Sequence, residues 1–233
     1  MAITGGIASG KSTVCNMLLG RGVQSISEDA VQSSCKAGHD SATIDARRYH
    51  LDPPAPPRIA LLSADRLGHE LYHPGSGTVD KVIEAFGEDV SDGRGGINRQ
   101  ALARKAFSSS EKRKMLEEIT HPLIRGCAQE FLSSGTTGQI RIYDVPLFVE
   151  SGGIDVDCVI AVETPVELAV KRMMEKRNMS PRDAWRRISS QVSNQQRKAV
   201  SHLVIVNDTS LDDLRVCVED ELMPYLLHLL GCR

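Results

Sequence analysis

No stretch of this chain is apolar for long enough to cross a membrane. The densest run, Tyr225 to Leu230, is interrupted by His228 and falls far short of the ~20 residues that a spanning helix needs. A basic segment leading into an apolar core is also missing, because Met1-Ala2-Ile3-Thr4 runs straight into Gly5-Gly6, so no secretory signal is expected. The six cysteines (Cys15, Cys35, Cys127, Cys158, Cys217, Cys232) include no C-x-x-C pair and have no histidines at zinc spacing. They read as reduced, mostly packing residues of a cytoplasmic protein, and no neighbouring residue marks any of them as a catalytic thiol. Ten prolines and 19 glycines in 233 residues are too few for a disordered chain, and no internal repeat is found. With 41% hydrophobic and 25% charged residues, the composition is that of a globular protein able to bury a sizeable core.

The net charge of −2 conceals an asymmetry. Lys171 to Lys198 holds nine basic residues and two acidic ones, and the rest of the chain is acidic. Binding along a nucleic-acid backbone needs an extended basic face, so one short basic segment excludes that partner and suits a small polyphosphate ligand instead.

Short β-like runs separated by helical periods predict strands at Met1 to Thr4, Ile59 to Ser63, Ile140 to Val145, Cys158 to Glu163 and Leu203 to Val206. Cys158 to Val162 is nearly continuously apolar, as a strand covered on both faces would be, which argues for a parallel, doubly wound sheet. Lys11 to Leu19 reads as the first helix. Thr164-Pro165-Val166-Glu167, Ser180-Pro181-Arg182-Asp183 and Ser210-Leu211-Asp212-Asp213 carry helix-start signals, and Pro224 should end or kink the last helix before Tyr225. From Asp65 to Ser133 only helical stretches appear (Thr78 to Phe86, Arg99 to Phe107, Glu111 to Ile119, Pro122 to Leu132), so residues 66–133 read as a helical subdomain. Residues 32–58, with the cluster Pro53-Pro54-Ala55-Pro56-Pro57, read as a surface insertion.

The most specific motif is Gly5-Gly6-Ile7-Ala8-Ser9-Gly10-Lys11-Ser12, which satisfies G-x-x-x-x-G-K-[ST] between a strand and a helix. Glycines let the backbone fold around phosphate oxygens, loop amides and the helix N-terminus supply donors, Lys11 reaches the β- and γ-phosphates, and Ser12 offers its hydroxyl to Mg²⁺. ATP-site residues expected from the loop are Gly6, Ala8, Ser9, Gly10, Lys11, Ser12 and Thr13. Because no N-K-x-D guanine-reading motif follows the strands, a kinase is favoured over a GTPase switch. The basic segment within 165–198 then reads as a lid in which Arg172, Arg177 and Arg187 are candidates for touching ATP or the transferred phosphate, the alternative being a solvated helical face. Ile140 to Asp144 is a strand ending in an acid, which places Asp144 on the magnesium side or as a cap of the following turn.

These motifs, with Ser63-Ala64-Asp65-Arg66, His73-Pro74-Gly75-Ser76-Gly77, Phe86-Gly87, His121-Pro122-Leu123-Ile124-Arg125, Asp144-Val145-Pro146-Leu147-Phe148-Val149-Glu150 and Val206-Asn207-Asp208-Thr209-Ser210, give a chain that resembles the dephospho-CoA kinase family outside the insertion. The resemblance implies a single α/β domain of the P-loop NTPase type over 1–233, with a parallel sheet flanked by helices, a helical CoA-binding subdomain and a basic helical lid. It also implies transfer of the ATP γ-phosphate, with Mg²⁺, to the ribose 3′-hydroxyl of dephospho-CoA. By motif, Asp65 would orient or deprotonate that hydroxyl, His121 and Arg125 would lie on the substrate side, Pro146, Leu147 and Glu150 would shape the acceptor site, and Asn207 would lie near adenine. His121 could instead cap or pack a helix, and Asn207 could form a turn. Ser63-Ala64-Asp65 stands where Asp-Ala-Asp is common in the family. Between the two acids at strand-like ends, Asp65 is preferred to the Glu28-Asp29 pair because it leads directly into the helical subdomain. The rivals are another small P-loop kinase of nucleosides or nucleotides and a noncatalytic nucleotide-binding protein. Oligomeric state is not legible.

Overall fold

The computed structural model describes residues 1–20, 24–25, 58–135 and 138–231. The proline-rich cluster, the pair Glu28-Asp29, and Cys35 and Cys232 lie outside them. The described residues fall into two compact units: one takes the chain through Ser25, the strand residues up to Leu61 and everything from Gly135 onward, and the other runs from Leu62 to Ser134.

The first unit is built on a six-stranded sheet of β1 (Ala2–Gly5), β2 (Gln24–Ser25), β3 (Arg58–Ser63), β4 (Gln139–Asp144), β5 (Val159–Glu163) and β6 (Leu203–Val206), in the order β2-β3-β4-β1-β5-β6. β1 pairs in parallel with β4 (Ile3 opposite Asp144) and with β5 (Gly5 opposite Val162), and β5 pairs in parallel with β6. Gln24 and Ser25 pair in parallel with Ala60 and Leu61. Strands β1 and β5 are buried along their whole length, which is why their sequences are apolar without alternation. Ile3, Val14, Leu18, Ile142, Ile160, Val162, Ile205, Leu214, Leu222 and Leu226 form this unit's core. Because the chain leaves the central strand β1 toward one edge and returns through β5 on its other side, the loop after β1 lies at the switch point where open α/β sheets bind ligands.

Helix α1 (Lys11–Leu19) follows that loop. The second unit contains α2 (Ala64–Glu70), α3 (Gly77–Phe86), α4 (Arg99–Ala106) and α5 (Ser110–Ser133). Ser76, Asn98 and Ser109 cap α3, α4 and α5 by accepting from backbone amides of the first turn. Val79, Val82, Phe86, Val90, Ile97, Leu102 and Ala106 make a separate core. The sequence predicts two helices across 111–132, whereas α5 is one helix of 24 residues with Pro122 inside it. Proline removes the hydrogen bond to the Glu118 carbonyl. Both residues are exposed, so water can satisfy that carbonyl while Thr120, Cys127, Ala128 and Phe131 keep the opposite face packed.

The first unit closes with α6 (Val166–Arg177), α7 (Pro181–Ser189), α8 (Asn194–Ala199), α9 (Leu211–Cys217), a π-helical turn (Val218–Leu222) and α10 (Met223–Gly231). Ser180 and Ser210 cap α7 and α9 as their sequences predict. Thr164 does not cap α6: Pro165 is the N-cap, no side chain bonds there, and the Thr164 hydroxyl is spent elsewhere. Pro224 does not end the last helix either. The Met223 amide donates to the Val218 carbonyl five residues back, and this widened turn leads the chain without a break into α10, which runs through Pro224.

Candidate active site

The loop Gly6 to Gly10 turns back on itself through a Ser9 N–H to Gly6 carbonyl bond of 3.1 Å and delivers its helix with bonds from Thr13 and Val14 to the Gly10 carbonyl. Gly10 (φ 94°) and Ala8 (φ 61°) both lie in the left-handed region, which glycine adopts freely and alanine only under constraint. At Gly5 a Cβ would stand 2.5 Å from the Val162 carbonyl oxygen and 2.6 Å from Ser9 Oγ, so the first residue of the motif must be glycine for the loop to lie against β5.

Three side chains brace this loop from unit 1. Asn207, at the end of β6, donates from Nδ2 to the Ser9 carbonyl at 2.7 Å and accepts from Arg172 Nη2 at 3.2 Å. Arg172 of α6 also reaches the Ala8 carbonyl at 3.4 Å and the Thr164 hydroxyl at 2.9 Å. Gln191, between α7 and α8, accepts from the Ile7 amide at 2.8 Å. Thr164 in turn donates to the Asn207 backbone carbonyl. Asn207 and Arg172, both named from sequence, are therefore brought to the loop. Arg177 and Arg187 are exposed on α6 and α7.

Lys11 and Asp144 form a buried ion pair across the C-terminal ends of β1 and β4. Ser12 is exposed at the start of α1, and Ser9 is buried with its hydroxyl unpartnered. Ser12 and Asp144 are hard oxygen donors, the kind Mg²⁺ takes. Among the described residues there is no group of three or more His, Cys, Asp or Glu that could hold a metal ion. Pro146 accepts from the Thr4 hydroxyl at 3.1 Å, Leu147 is exposed, and Glu150 accepts from the Val192 amide at 3.1 Å.

Beside the pair, burial above all, then the charge of Asp144, push the Cys15 thiol up to about 12. Below the ordinary thiol pKa of 9, Cys15 is protonated whether folded or unfolded. Above it only the unfolded chain ionises, so this group's contribution to stability falls by on the order of 1 kcal/mol per pH unit from about 9 to about 12. Cys15→Ala should flatten that alkaline loss in urea titrations run at several pH values; an unchanged slope would contradict it. The other described cysteines, Cys127, Cys158 and Cys217, are in no disulfide bond.

In the second unit Asp65 is exposed in the first turn of α2, two residues beyond the end of β3. His121 and Arg125 are exposed one helical turn apart on α5. Sequence reasoning passed over two residues in the first unit. Arg197 of α8 is buried, with Nη1 donating to the Val192 carbonyl and Nη2 to Asn194 Oδ1. Glu163, at the end of β5, is buried as well, and desolvation raises its carboxyl against the pull of Arg197 and Lys198. Only membership in the basic segment marked Arg197, and nothing in the sequence marked Glu163.

A dephospho-CoA kinase family model matches residues 57–213. A dephospho-CoA kinase of Corynebacterium glutamicum is 33% identical over 219 residues, covering 92% of this chain and 93% of that protein. Among solved structures, one of a Thermus thermophilus protein superposes with a TM-score of 0.61 at 25% identity, covering 96% of this chain and 95% of the other. A dephospho-CoA kinase from Campylobacter jejuni superposes with a TM-score of 0.51 at 25% identity, covering 95% of each chain.

Proposed function

Because the chain belongs to the dephospho-CoA kinase family, we propose that the loop Gly6 to Thr13 binds the phosphates of ATP and that Ser12 and Asp144 hold its Mg²⁺. The chain is a kinase, a phosphotransferase of coenzyme A biosynthesis whose co-substrate is ATP and whose acceptor is dephospho-CoA. The observation that carries the site assignment is the buried Lys11–Asp144 pair at the foot of the phosphate loop. A lysine at this position is a cation for phosphate oxygens, and its ion pair with Asp144 holds both side chains at the foot of the loop.

In this reading Asp65 accepts the proton of the ribose 3′-hydroxyl as that oxygen attacks the γ-phosphorus, and ADP leaves with the bridging oxygen. Mg²⁺ supplies charge neutralisation on the phosphates when bound. Asn207 and Arg172 hold the Ser9 and Ala8 carbonyls and so fix the loop around the phosphates. His121 and Arg125 serve the substrate side, Pro146, Leu147 and Glu150 shape the acceptor site, and Arg177 and Arg187 belong to a lid over ATP. We propose that the reaction runs in the cytoplasm. ADP release measured with dephospho-CoA against a panel of nucleosides and nucleotides tests the reading. Stimulation by dephospho-CoA alone is expected, and stimulation by a nucleoside alone would overturn it.

A further inference from the structure

Arg197 is a buried cation for which the described part of the chain supplies no direct counter-ion. It is 4% exposed, each Nη atom donates one N–H to a neutral acceptor (the Val192 carbonyl at 2.7 Å and Asn194 Oδ1 at 2.8 Å), and its buried Nε finds no acceptor among the described residues. Glu150 and Glu163 favour its charge from nearby, and burial opposes it. Buried charges are ordinarily paired, so a guanidinium left this way implies a partner beyond the described residues.

Its place says which partner. A Cβ on Gly6 would meet Arg197 Nη2 at 2.8 Å, so the guanidinium lies directly against the second residue of the phosphate loop, where glycine leaves the approach open. The arginine is held there and is not swung in from solvent. A capping box at Ser193 and Gln196 starts its helix, Gln191 ties the preceding turn to Ile7, the Val192 amide donates to Glu150, and Asn194 Nδ2 donates to the Thr164 carbonyl at 2.9 Å. The amides at the helix end of such a loop cradle the inner phosphates, and Lys11 reaches the β- and γ-phosphates. A fixed cation at the opposite, strand end is left for the terminal phosphate.

We propose that Arg197 bonds the terminal phosphate of the bound nucleoside triphosphate and stabilises the phosphoryl group during transfer. The transfer half of this statement rests on the kinase reading above. The bond from the γ-phosphorus to the β–γ bridging oxygen breaks, the bond to the acceptor hydroxyl oxygen forms, and that hydroxyl's proton goes to Asp65. Arg197 donates hydrogen bonds throughout and keeps all its protons.

The test is binding of ATP and of ADP, each with Mg²⁺ and without acceptor, to the wild type, Arg197→Gln and Arg197→Lys by titration calorimetry. Arg197→Gln should weaken ATP by roughly 10- to 100-fold and ADP by less than about threefold, with Arg197→Lys between wild type and Arg197→Gln for ATP. An equal loss for both nucleotides would mean that the residue only holds the fold, and unchanged ATP binding would mean that it does not reach the phosphate; either overturns the proposal. If Arg197→Gln does not fold, the Nε–H resonance of Arg197 in the ¹⁵N-labelled wild type decides. A shift on adding ATP but not ADP supports the contact, and an equal response to both, or none to ATP, overturns it. A wild type that binds ATP but ignores dephospho-CoA would overturn the reaction and not this contact, whereas normal dephospho-CoA turnover by Arg197→Gln would overturn this proposal alone.

Discussion

Lys11→Ala is expected to lower kcat for phosphorylation of dephospho-CoA by about a hundredfold or more. The lysine is the side-chain cation of the phosphate loop, and deleting such a group from a water-poor site removes several kcal/mol of transition-state stabilisation. From sequence alone the variant should fold normally. The ion pair with Asp144 adds a second consequence, because alanine strands a buried carboxylate, and losing one partner of a buried pair costs about 3–5 kcal/mol. The double variant Lys11→Ala with Asp144→Asn separates the two effects. Urea denaturation should show stability largely restored, while turnover stays abolished. Wild-type activity in Lys11→Ala would remove the phosphate-loop assignment altogether.

Asp65→Asn is expected to lower kcat by ~10²–10⁴-fold with little change in ATP affinity, the range a positioned general base contributes. Asparagine keeps the shape and the acceptor oxygen at the first turn of α2 but cannot take the proton of the attacking hydroxyl. Asp29→Asn, measured beside it with dephospho-CoA as acceptor, should be nearly silent. A severe loss at Asp29 with a mild one at Asp65 would reverse the choice of base.

What was legible in the sequence were the features that act locally. Every strand but β2 declared itself as a short β-like run, the polar pair Gln24–Ser25 giving no such signal; the phosphate loop did so by its glycines between strand and helix, and α7 and α9 by Ser180 and Ser210. The errors came where a distant group overrode the local rule. Thr164 carries a cap pattern, yet its hydroxyl is taken by the carbonyl of Asn207, 43 residues later in the chain and just beyond β6. Pro122 reads as a helix boundary, yet α5 runs through it because one face stays packed. Among the basic residues, charge and helical spacing could not separate Arg172, which touches the loop, from Arg177 and Arg187, which are exposed. Nor could they reveal Arg197, whose burial depends on a turn anchored by Gln191, Val192 and Asn194.

The widened turn at Val218–Leu222 also sets an angular phase. Leu214, Val218, Leu222 and Leu226 all face the core and recur every fourth residue, whereas at about 100° per residue each step of four in a regular α-helix advances the direction by roughly 40° beyond a full turn. Over three such steps the last side chain would point well off the sheet. One turn closed by an i to i−5 bond takes back much of that drift, so all four keep one heading. The extra residue thus acts as a phase correction. Deleting one of Glu219 to Glu221 would convert the spacing to the 4-3-4 stripe of an ordinary helix and leave Leu226 facing inward, but it would bring Pro224 under the carbonyl four positions back, where its ring has no room.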